Sequence, residues 1–134
     1  MNKKELISAA IEARKNAYAP YSSFAVGAAL LTKDGKIYTG CNIESASYSP
    51  TCCAERVAFF GAVSHGERSF DAIAVVGGRY NTDDIGICPP CGVCRQVMSE
   101  FCNGDFKIIL ADDMGEIRTF SLDELLPERF TLKK

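Results

Sequence analysis

Hydrophobic and polar residues recur along this chain with two different periods, one typical of helices and one typical of strands. Between Lys3 and Tyr18 the apolar residues return every three to four positions, which predicts an amphipathic helix that Pro20 ends. The segments from Cys53 to about Ser64 and from Cys91 to Phe101 have the same period and predict two further helices. Near the end of the chain, the stretch "LDELLPERF" predicts a short helical turn and a tail.

Five apolar runs bounded by turn residues predict strands. They extend from Phe24 to Thr32, Lys36 to Cys41, Asp71 to Gly78, Phe106 to Ala111 and Glu116 to Phe120. The Asp-Gly turn in "KDGK" joins the first two strands into a hairpin. The order α-β-β-α-β-α-β-β predicts an α/β protein with a mixed sheet covered on both faces. A length of 134 residues predicts one domain, residues 1–134.

Composition and charge narrow the classes of function. The formal net charge of −2 disfavours a protein that relies on phosphate contacts to a polynucleotide, but it does not exclude a single nucleoside as ligand. No apolar run reaches the roughly 18 residues of a membrane span. Charged residues also interrupt the N-terminal stretch where a signal peptide would have its apolar core. We therefore expect a cytoplasmic protein without a membrane partner.

The seven cysteines are the main chemical feature of the sequence. In a reducing compartment, clustered cysteines indicate a metal site or a redox group before disulfides. Cys91 and Cys94 form a Cys-x-x-Cys pair at the predicted start of a helix, close behind Cys88. The doublet Cys52-Cys53 supplies a further sulfur at the start of another helix. Three thiolates around one tetrahedral Zn²⁺ would leave the fourth position to water, which is the arrangement of a catalytic site.

Two charged residues follow the cysteine doublet. Glu55 comes two residues after Cys53, where a carboxylate could take a proton from a metal-bound water and pass it on. Arg56 could donate hydrogen bonds to the sulfurs and offset the negative charge of three thiolates. Without neighbouring ligands, the same two residues would be an ordinary solvated pair.

The residues alone leave other interpretations of the cysteines open. The stretch "PCGVC" also resembles a redox dithiol, although no thioredoxin-like βαβ pattern surrounds it. A closed structural zinc site would take Cys88 or Cys52 as its fourth ligand, and the chain would then be a non-catalytic, zinc-stabilised interaction domain. Cys41 and Cys102 lie among apolar residues and are expected to be core thiols.

The combination of "CAER" with "PCGVCRQV" downstream and "NIE" upstream resembles the zinc-dependent cytidine deaminases of the short, homotetrameric type. Segments similar to that family extend from "APYSSFAVGAALLTKDGKIYTGCNIESASY" to "DELLPERF" and so cover nearly the whole chain. The resemblance implies a three-layer α-β-α sandwich with a five-stranded mixed sheet. It also implies one zinc ion per subunit and a homotetramer with composite active sites.

The resemblance assigns a role to each residue of the metal motif. Cys53, Cys91 and Cys94 match the zinc ligands, Glu55 matches the proton shuttle, and Arg56 matches the residue that balances the thiolate charge.

The resemblance also assigns the substrate contacts. Asn42 and Glu44 match the pair that grips the ribose hydroxyls, and Phe24 matches an aromatic residue that packs on the base. Ala54 would offer backbone groups to the pyrimidine ring, and Phe130 would reach the pocket of a neighbouring subunit. Without the resemblance, Asn42 and Glu44 would be a polar turn, Phe24 a core strand residue and Phe130 a tail anchor.

The implied activity is the hydrolytic deamination of cytidine and 2′-deoxycytidine to uridine and 2′-deoxyuridine plus ammonia, a step of pyrimidine salvage. In the implied mechanism a zinc-bound hydroxide attacks C4 of the cytosine ring and Glu55 carries the protons. The alternative with the same chemistry is a deaminase of another cytosine compound, such as blasticidin S. The stretch "NIESASY" favours a nucleoside sugar over that compound.

Overall fold

Residues 2–132, which the computed structural model describes, form four helices and five strands. In chain order they are α1 (Lys3–Arg14), β1 (Phe24–Thr32), β2 (Ile37–Cys41), α2 (Ala54–Ser64), β3 (Phe70–Arg79), α3 (Gly92–Phe101), β4 (Lys107–Ala111), β5 (Ile117–Ser121) and α4 (Leu122–Leu125). Every predicted helix and strand is present, and all bounds but one lie within one residue of the prediction. None of these helices is long and apolar enough to cross a membrane.

The strands form one mixed sheet in the order β2-β1-β3-β4-β5. β3 and β4 pair in parallel, whereas the other three neighbouring pairs are antiparallel. A parallel pair requires a crossover connection, and the segment that contains α3 supplies it. The predicted five-stranded mixed sheet is therefore confirmed.

Helices cover both faces of this sheet. α1 packs on one face through Leu6 and Ala10, which are buried in the same cluster as Val76 of β3. α2 and α3 cover the opposite face, where Phe59 and Met98 are buried in the second cluster. β3 is buried on both faces, and for this reason its sequence is a continuous apolar run rather than an alternating one. The three-layer α-β-α architecture is therefore confirmed as well.

α1 ends at Arg14, a full turn before the predicted end at Tyr18. Beyond Arg14 the backbone of Tyr18 pairs with a later segment of the chain. Its N–H donates to the carbonyl of Asn42, and its carbonyl accepts from the N–H of Glu44, both at 2.9 Å. These bonds satisfy the backbone groups that a longer helix would have used. The predicted helix end was therefore wrong, because hydrophobic periodicity carries no signal for such a long-range pairing.

The side chain of Arg14 is buried and holds the loop that follows β3. Its guanidinium donates hydrogen bonds to the carbonyls of Ala25 at 3.0 Å, Thr82 at 2.9 Å and Arg79 at 2.7 Å. A buried charge is tolerated where several acceptors satisfy it. Arg14 thereby ties the beginning of β1 to the end of β3, close to the segment that leads to the cysteine motif.

α1 lies so close to β1 that one strand position requires glycine. A Cβ atom on Gly27 would lie 2.0 Å from the carbonyl oxygen of Ala10 and 2.6 Å from the backbone nitrogen of Arg14. Both atoms belong to the backbone of α1, so they cannot rotate away as the end of a flexible side chain could. Gly27 therefore sets the distance between the helix and the sheet.

We expect Gly27→Ala to lower the free energy of unfolding by about 1–3 kcal/mol, because the added methyl group pushes α1 off the sheet. The matched control is Gly61→Ala in α2, where no atom lies within 4 Å of an added Cβ. That change should stabilise the protein by up to about 1 kcal/mol, because alanine favours a helix over glycine. Urea unfolding of both variants measures the difference, and a Gly27→Ala protein as stable as the wild type would contradict the prediction.

Candidate active site

Two helices begin next to each other, each directly after a cysteine. Cys53 is the N-cap of α2 and Cys91 is the N-cap of α3, both in extended conformation and neither using its side chain to cap the helix. The predicted helices began at these cysteines, so each helix starts one residue later than expected. Their sulfurs are therefore available to a ligand, beside backbone N–H groups and helix dipoles that favour thiolates.

Three sulfurs converge between these helix ends. The Sγ atoms of Cys53 and Cys91 are 4.0 Å apart, and those of Cys91 and Cys94 are 3.5 Å apart. All three lie within 4.8 Å of one another. Tetrahedral Zn–S bonds of about 2.3 Å place sulfur atoms about 3.8 Å apart, so the three thiolates fit one zinc ion. The structure brings together the three predicted ligands, and they leave one position of a tetrahedral ion for water.

Cys88 and Cys52 do not belong to this sulfur group, which in residues 2–132 contains Cys53, Cys91 and Cys94. The side chain of Cys88 lies instead against Gly77, where an added Cβ atom would be 2.8 Å from its Sγ. The backbone N–H and carbonyl of Cys52 pair with Ile43 at 2.9 and 3.0 Å, which fixes Cys52 as part of a strand-like bridge. The geometry therefore favours an open three-cysteine site over a closed four-cysteine one.

Arg56 lies against the sulfur group. Its Nη2 atom donates a hydrogen bond to the Sγ of Cys53 at 3.3 Å. This bond and the thiolate charge raise the pKa of Arg56, so its positive charge is permanent. Three thiolates on Zn²⁺ carry a formal net charge of −1, which weakens the ion as a Lewis acid. The guanidinium offsets part of that charge through the sulfur of Cys53.

Cys53 and Cys94 differ in how readily they ionise. A hydrogen bond from the Cys94 thiol, followed by the hydrogen bond from Arg56, lowers the pKa of Cys53. The same hydrogen bond raises the pKa of Cys94, because that thiol keeps its proton to donate it. Arg56 and the N-terminus of α2 thus favour the thiolate form of Cys53.

Glu55 lies in the first turn of α2, beside the sulfurs. Its residue is only 4% exposed. Burial raises the pKa of Glu55 to about 7, and the nearby Cys53 thiolate adds to the increase. A carboxyl group with this pKa can both hold and release a proton at neutral pH, which is what a general acid–base group requires.

An aromatic ring and a buried amide lie together at the start of β1. Phe24 is 42% exposed. Its ring lies against Gly77, because a Cβ atom added to Gly77 would be only 2.9 Å from the ring carbon Cε2 and would also contact Cys88. The side chain of Asn42 is fixed against the β1 backbone, because its Oδ1 accepts from the N–H of Val26 and its Nδ2 donates to the carbonyl of Phe24, both at 2.8 Å. Asn42 thus holds Phe24 in place, and an amide retains further hydrogen-bonding capacity beyond these two bonds.

Glu44 lines a pocket of about 390 Å³. The pocket is lined by Tyr21, Ser22, Glu44, Ser45, Tyr48 and Thr51. The Oε1 of Glu44 accepts from the backbone N–H groups of Tyr21 at 3.0 Å and Ser22 at 3.1 Å, and its Oε2 accepts from the Ser22 hydroxyl. The hydrogen bonds from Ser22 and Tyr21 outweigh desolvation and lower the pKa of Glu44, so the pocket contains a carboxylate.

The two remaining predicted contacts lie in different surroundings. Ala54 is fully buried as the first residue of α2, directly between Cys53 and Glu55. Phe130 lies in the C-terminal tail and is 68% exposed. Its carbonyl accepts a hydrogen bond from Gln96 Nε2 at 2.9 Å. The tail is thus attached to α3 while the ring of Phe130 is available to another surface.

The chain was compared with protein families, characterised relatives and solved structures. A model of the cytidine and deoxycytidylate deaminase zinc-binding region matches residues 1–110. The chain belongs to this family. A cytidine deaminase of Sporosarcina psychrophila is 52% identical over 131 residues, which cover 98% of this chain and 93% of the relative. The crystal structure of cytidine deaminase from Burkholderia pseudomallei has a TM-score of 0.88 and 48% identity, over 97% of this chain and 100% of that one.

A second activity occurs among the relatives of this deaminase. Blasticidin-S deaminase of Bacillus cereus is 35% identical over 109 residues, which cover 79% of this chain and 76% of the relative. Its lower identity and coverage place it further away than the cytidine deaminases described above. Membership of the deaminase family, zinc as the cofactor and the α/β fold are therefore confirmed, and the redox-dithiol interpretation of Cys91 and Cys94 is set aside.

Sequence reasoning missed two residues that shape this deaminase site. Arg95 donates to the carbonyl of Pro90 at 2.7 Å and to that of Leu125 at 2.6 Å, and so fixes the residue before Cys91. Ser22 contacts Glu44 and Phe24 through one hydroxyl. Neither residue has a periodicity or spacing signal, because an arginine on an amphipathic helix and a serine in a loop are ordinary in those positions.

Proposed function

We propose that this chain is a cytidine deaminase that hydrolyses cytidine and 2′-deoxycytidine to uridine and 2′-deoxyuridine plus ammonia. The observation that carries the proposal is the buried carboxyl of Glu55 beside three sulfurs with the spacing of a zinc site. The similarity to cytidine deaminases over nearly the whole chain supports the choice of substrate.

Zinc held by Cys53, Cys91 and Cys94 would supply Lewis-acid chemistry, since it lowers the pKa of a water molecule next to the substrate. Through its hydrogen bond to Cys53, Arg56 offsets part of the negative charge of the three sulfurs. That charge would otherwise weaken the ability of zinc to lower the pKa of the water. The remaining steps are proton transfers and substrate positioning by residues of the chain.

Glu55 moves two protons in the proposed reaction. Its carboxylate takes a proton from the attacking water and delivers it to N3 of the cytosine ring, which makes C4 more electrophilic. After the oxygen has added to C4, Glu55 transfers the second proton to the amino group, which leaves as ammonia. Water and cytidine are thereby converted to uridine and ammonia without any other reactant. One carboxyl group serves both steps because its raised pKa, about 7, suits acceptance and donation alike.

The rest of the site positions the nucleoside. Phe24 packs against the base, the backbone of Ala54 contacts the pyrimidine, and Asn42 and Glu44 bind the sugar hydroxyls. The exposed ring of Phe130 supports the further proposal that the protein is a homotetramer in which this residue completes a neighbouring subunit's pocket. The free thiols that a thiolate zinc site requires support a cytoplasmic location, where pyrimidine salvage would use the product.

The alternative activity is deamination of blasticidin S, which the relative from Bacillus cereus supports. The carboxylate of Glu44 in its pocket favours a substrate with sugar hydroxyls. Competition between cytidine and blasticidin S for the purified enzyme decides between the two, since the preferred substrate has the larger kcat/KM.

The test of the proposed function is the loss of cytidine absorbance, with ammonia measured in parallel, when zinc-loaded protein is added. The assay is repeated with 2′-deoxycytidine and with protein stripped of metal by a chelator. We expect turnover of both nucleosides by the zinc-loaded protein and none by the stripped protein. A zinc-loaded protein that releases no ammonia from either nucleoside would instead support a non-catalytic, zinc-stabilised domain.

A further inference from the structure

The carboxylate of Glu44 is held by one short loop, residues 19–23. The chain turns sharply there, with the N–H of Ser23 donating to the carbonyl of Ala19 at 3.1 Å and Ser23 itself in the left-handed region at φ 60°. Residues other than glycine rarely adopt this conformation, so its presence marks a loop whose shape is imposed by its surroundings. Both backbone N–H groups that bind Glu44 come from this loop.

The hydroxyl of Ser22 connects two groups of the proposed substrate site. Its oxygen accepts a hydrogen bond from the N–H of Phe24 at 3.1 Å, and its proton is donated to Oε2 of Glu44. A hydroxyl has one proton and can accept as well as donate, so both bonds form at the same time. Ser22 thus links the backbone of Phe24, which is proposed to pack on the base, with the carboxylate of Glu44, which is proposed to bind the sugar.

The hydrogen bonds that Glu44 already accepts limit how many more a ligand can donate to its carboxylate. An ionised carboxylate offers about four lone-pair sites, and the loop fills three of them within the part of the chain that the structure describes. The Oε1 atom receives two backbone N–H groups, so the remaining site lies on Oε2, the atom that Ser22 also holds. Glu44 therefore presents one acceptor to the pocket, suited to one donor such as a sugar hydroxyl.

We propose that Ser22 is a positioning residue that directs Oε2 of Glu44 at a hydroxyl of the substrate's sugar and thereby determines the preference for nucleosides with an intact sugar. The inference rests on the proposed function, since it requires a nucleoside substrate bound near Glu44. Because Ser22 acts on the sugar through Glu44, its removal should weaken the binding of substrates that have the hydroxyl more than the binding of substrates that lack it.

The test compares Ser22→Ala with the wild type on cytidine and on 2′,3′-dideoxycytidine, which lacks both secondary sugar hydroxyls. We expect KM for cytidine to rise by about 10-fold with little change in kcat, because a hydrogen bond that contributes equally to ground state and transition state is lost. KM for 2′,3′-dideoxycytidine should change by less than about 2-fold, since that substrate never made the bond.

Four further measurements separate positioning from a general loss of structure. Ser22→Thr keeps the hydroxyl and should restore most of the affinity for cytidine. Ser69→Ala replaces an exposed serine in the loop before β3 and should leave both KM values unchanged. The melting temperature and zinc content of Ser22→Ala should match the wild type. If Ser22→Ala is too unstable to assay, Ser22→Cys, which has a weaker donor, gives the same comparison.

Equal increases in KM for both substrates would overturn the proposal, because a loosened loop would affect binding whether or not the hydroxyls are present. If the wild type discriminates between the two substrates and Ser22→Ala discriminates to the same extent, the proposal is overturned as well. The proposed function would then remain intact. A wild-type protein without activity on cytidine would overturn the proposed function together with the inference.

Discussion

Glu55→Gln should lower kcat by at least about 10²–10⁴-fold, the range expected when a general acid–base group is lost. Glutamine keeps the size of the side chain and its place in the first turn of α2, but it can neither accept the proton of the attacking water nor return it to the leaving amino group. The loss should appear in kcat more than in KM, because the missing interaction belongs to the transition state. Steady-state deamination of cytidine measures it.

The same variant should keep its metal, since Glu55 is not part of the sulfur group of Cys53, Cys91 and Cys94. Zinc content measured on the same preparation therefore separates a lost proton shuttle from a lost site. The matched control is Glu12→Gln in α1, an exposed side chain whose ion pair with Lys15 lies on the surface. We expect that control to retain full activity. Deamination by Glu55→Gln at a rate near that of the wild type would refute the role of Glu55.

The arrangement of helices and strands could be predicted from the sequence because it depends on local pattern. The continuous apolar run of β3 and the three- to four-residue period of α2 and α3 are properties of consecutive residues. The end of α1 depends instead on hydrogen bonds between Tyr18 and the segment around Asn42, far away in the chain. No local pattern contains that information, and the helix end was predicted wrongly for this reason.

The same distinction applies to the candidate site. The cysteines could be predicted as metal ligands because zinc ligands come in short, fixed spacings, and Glu55 could be predicted as a proton shuttle because it lies two residues from Cys53. The role of Ser22 depends on a contact with Glu44, a residue 22 positions later in the chain. Asn42 was predicted as a sugar contact, and in the structure its amide forms hydrogen bonds with the backbone at the beginning of β1. Contacts of this kind become visible only once the strands are assembled.

Replacing Cys53 with alanine should remove zinc, whereas replacing its neighbour Cys52 should not. Cys53 supplies one of three sulfurs that lie within 4.8 Å of one another, and two ligands hold zinc far less tightly than three. Loss of a supporting residue alone typically weakens metal binding by about 10–100-fold, so loss of a ligand should cost more than about 100-fold. We expect Cys53→Ala to be purified with almost no zinc, as measured by metal analysis after gel filtration.

Cys52→Ala is a close control, because it removes the adjacent thiol while the backbone bridge of residue 52 to Ile43 is kept. It should retain about one zinc ion per chain, as should Cys88→Ala, because neither sulfur belongs to the group around Cys53. Equal zinc loss in Cys52→Ala and Cys53→Ala would refute the choice of ligand. Zinc loss in Cys88→Ala would mean that a fourth sulfur closes the site, and the position proposed for water would then be taken. The three variants together therefore test both the identity of the ligands and the open coordination on which hydrolysis depends.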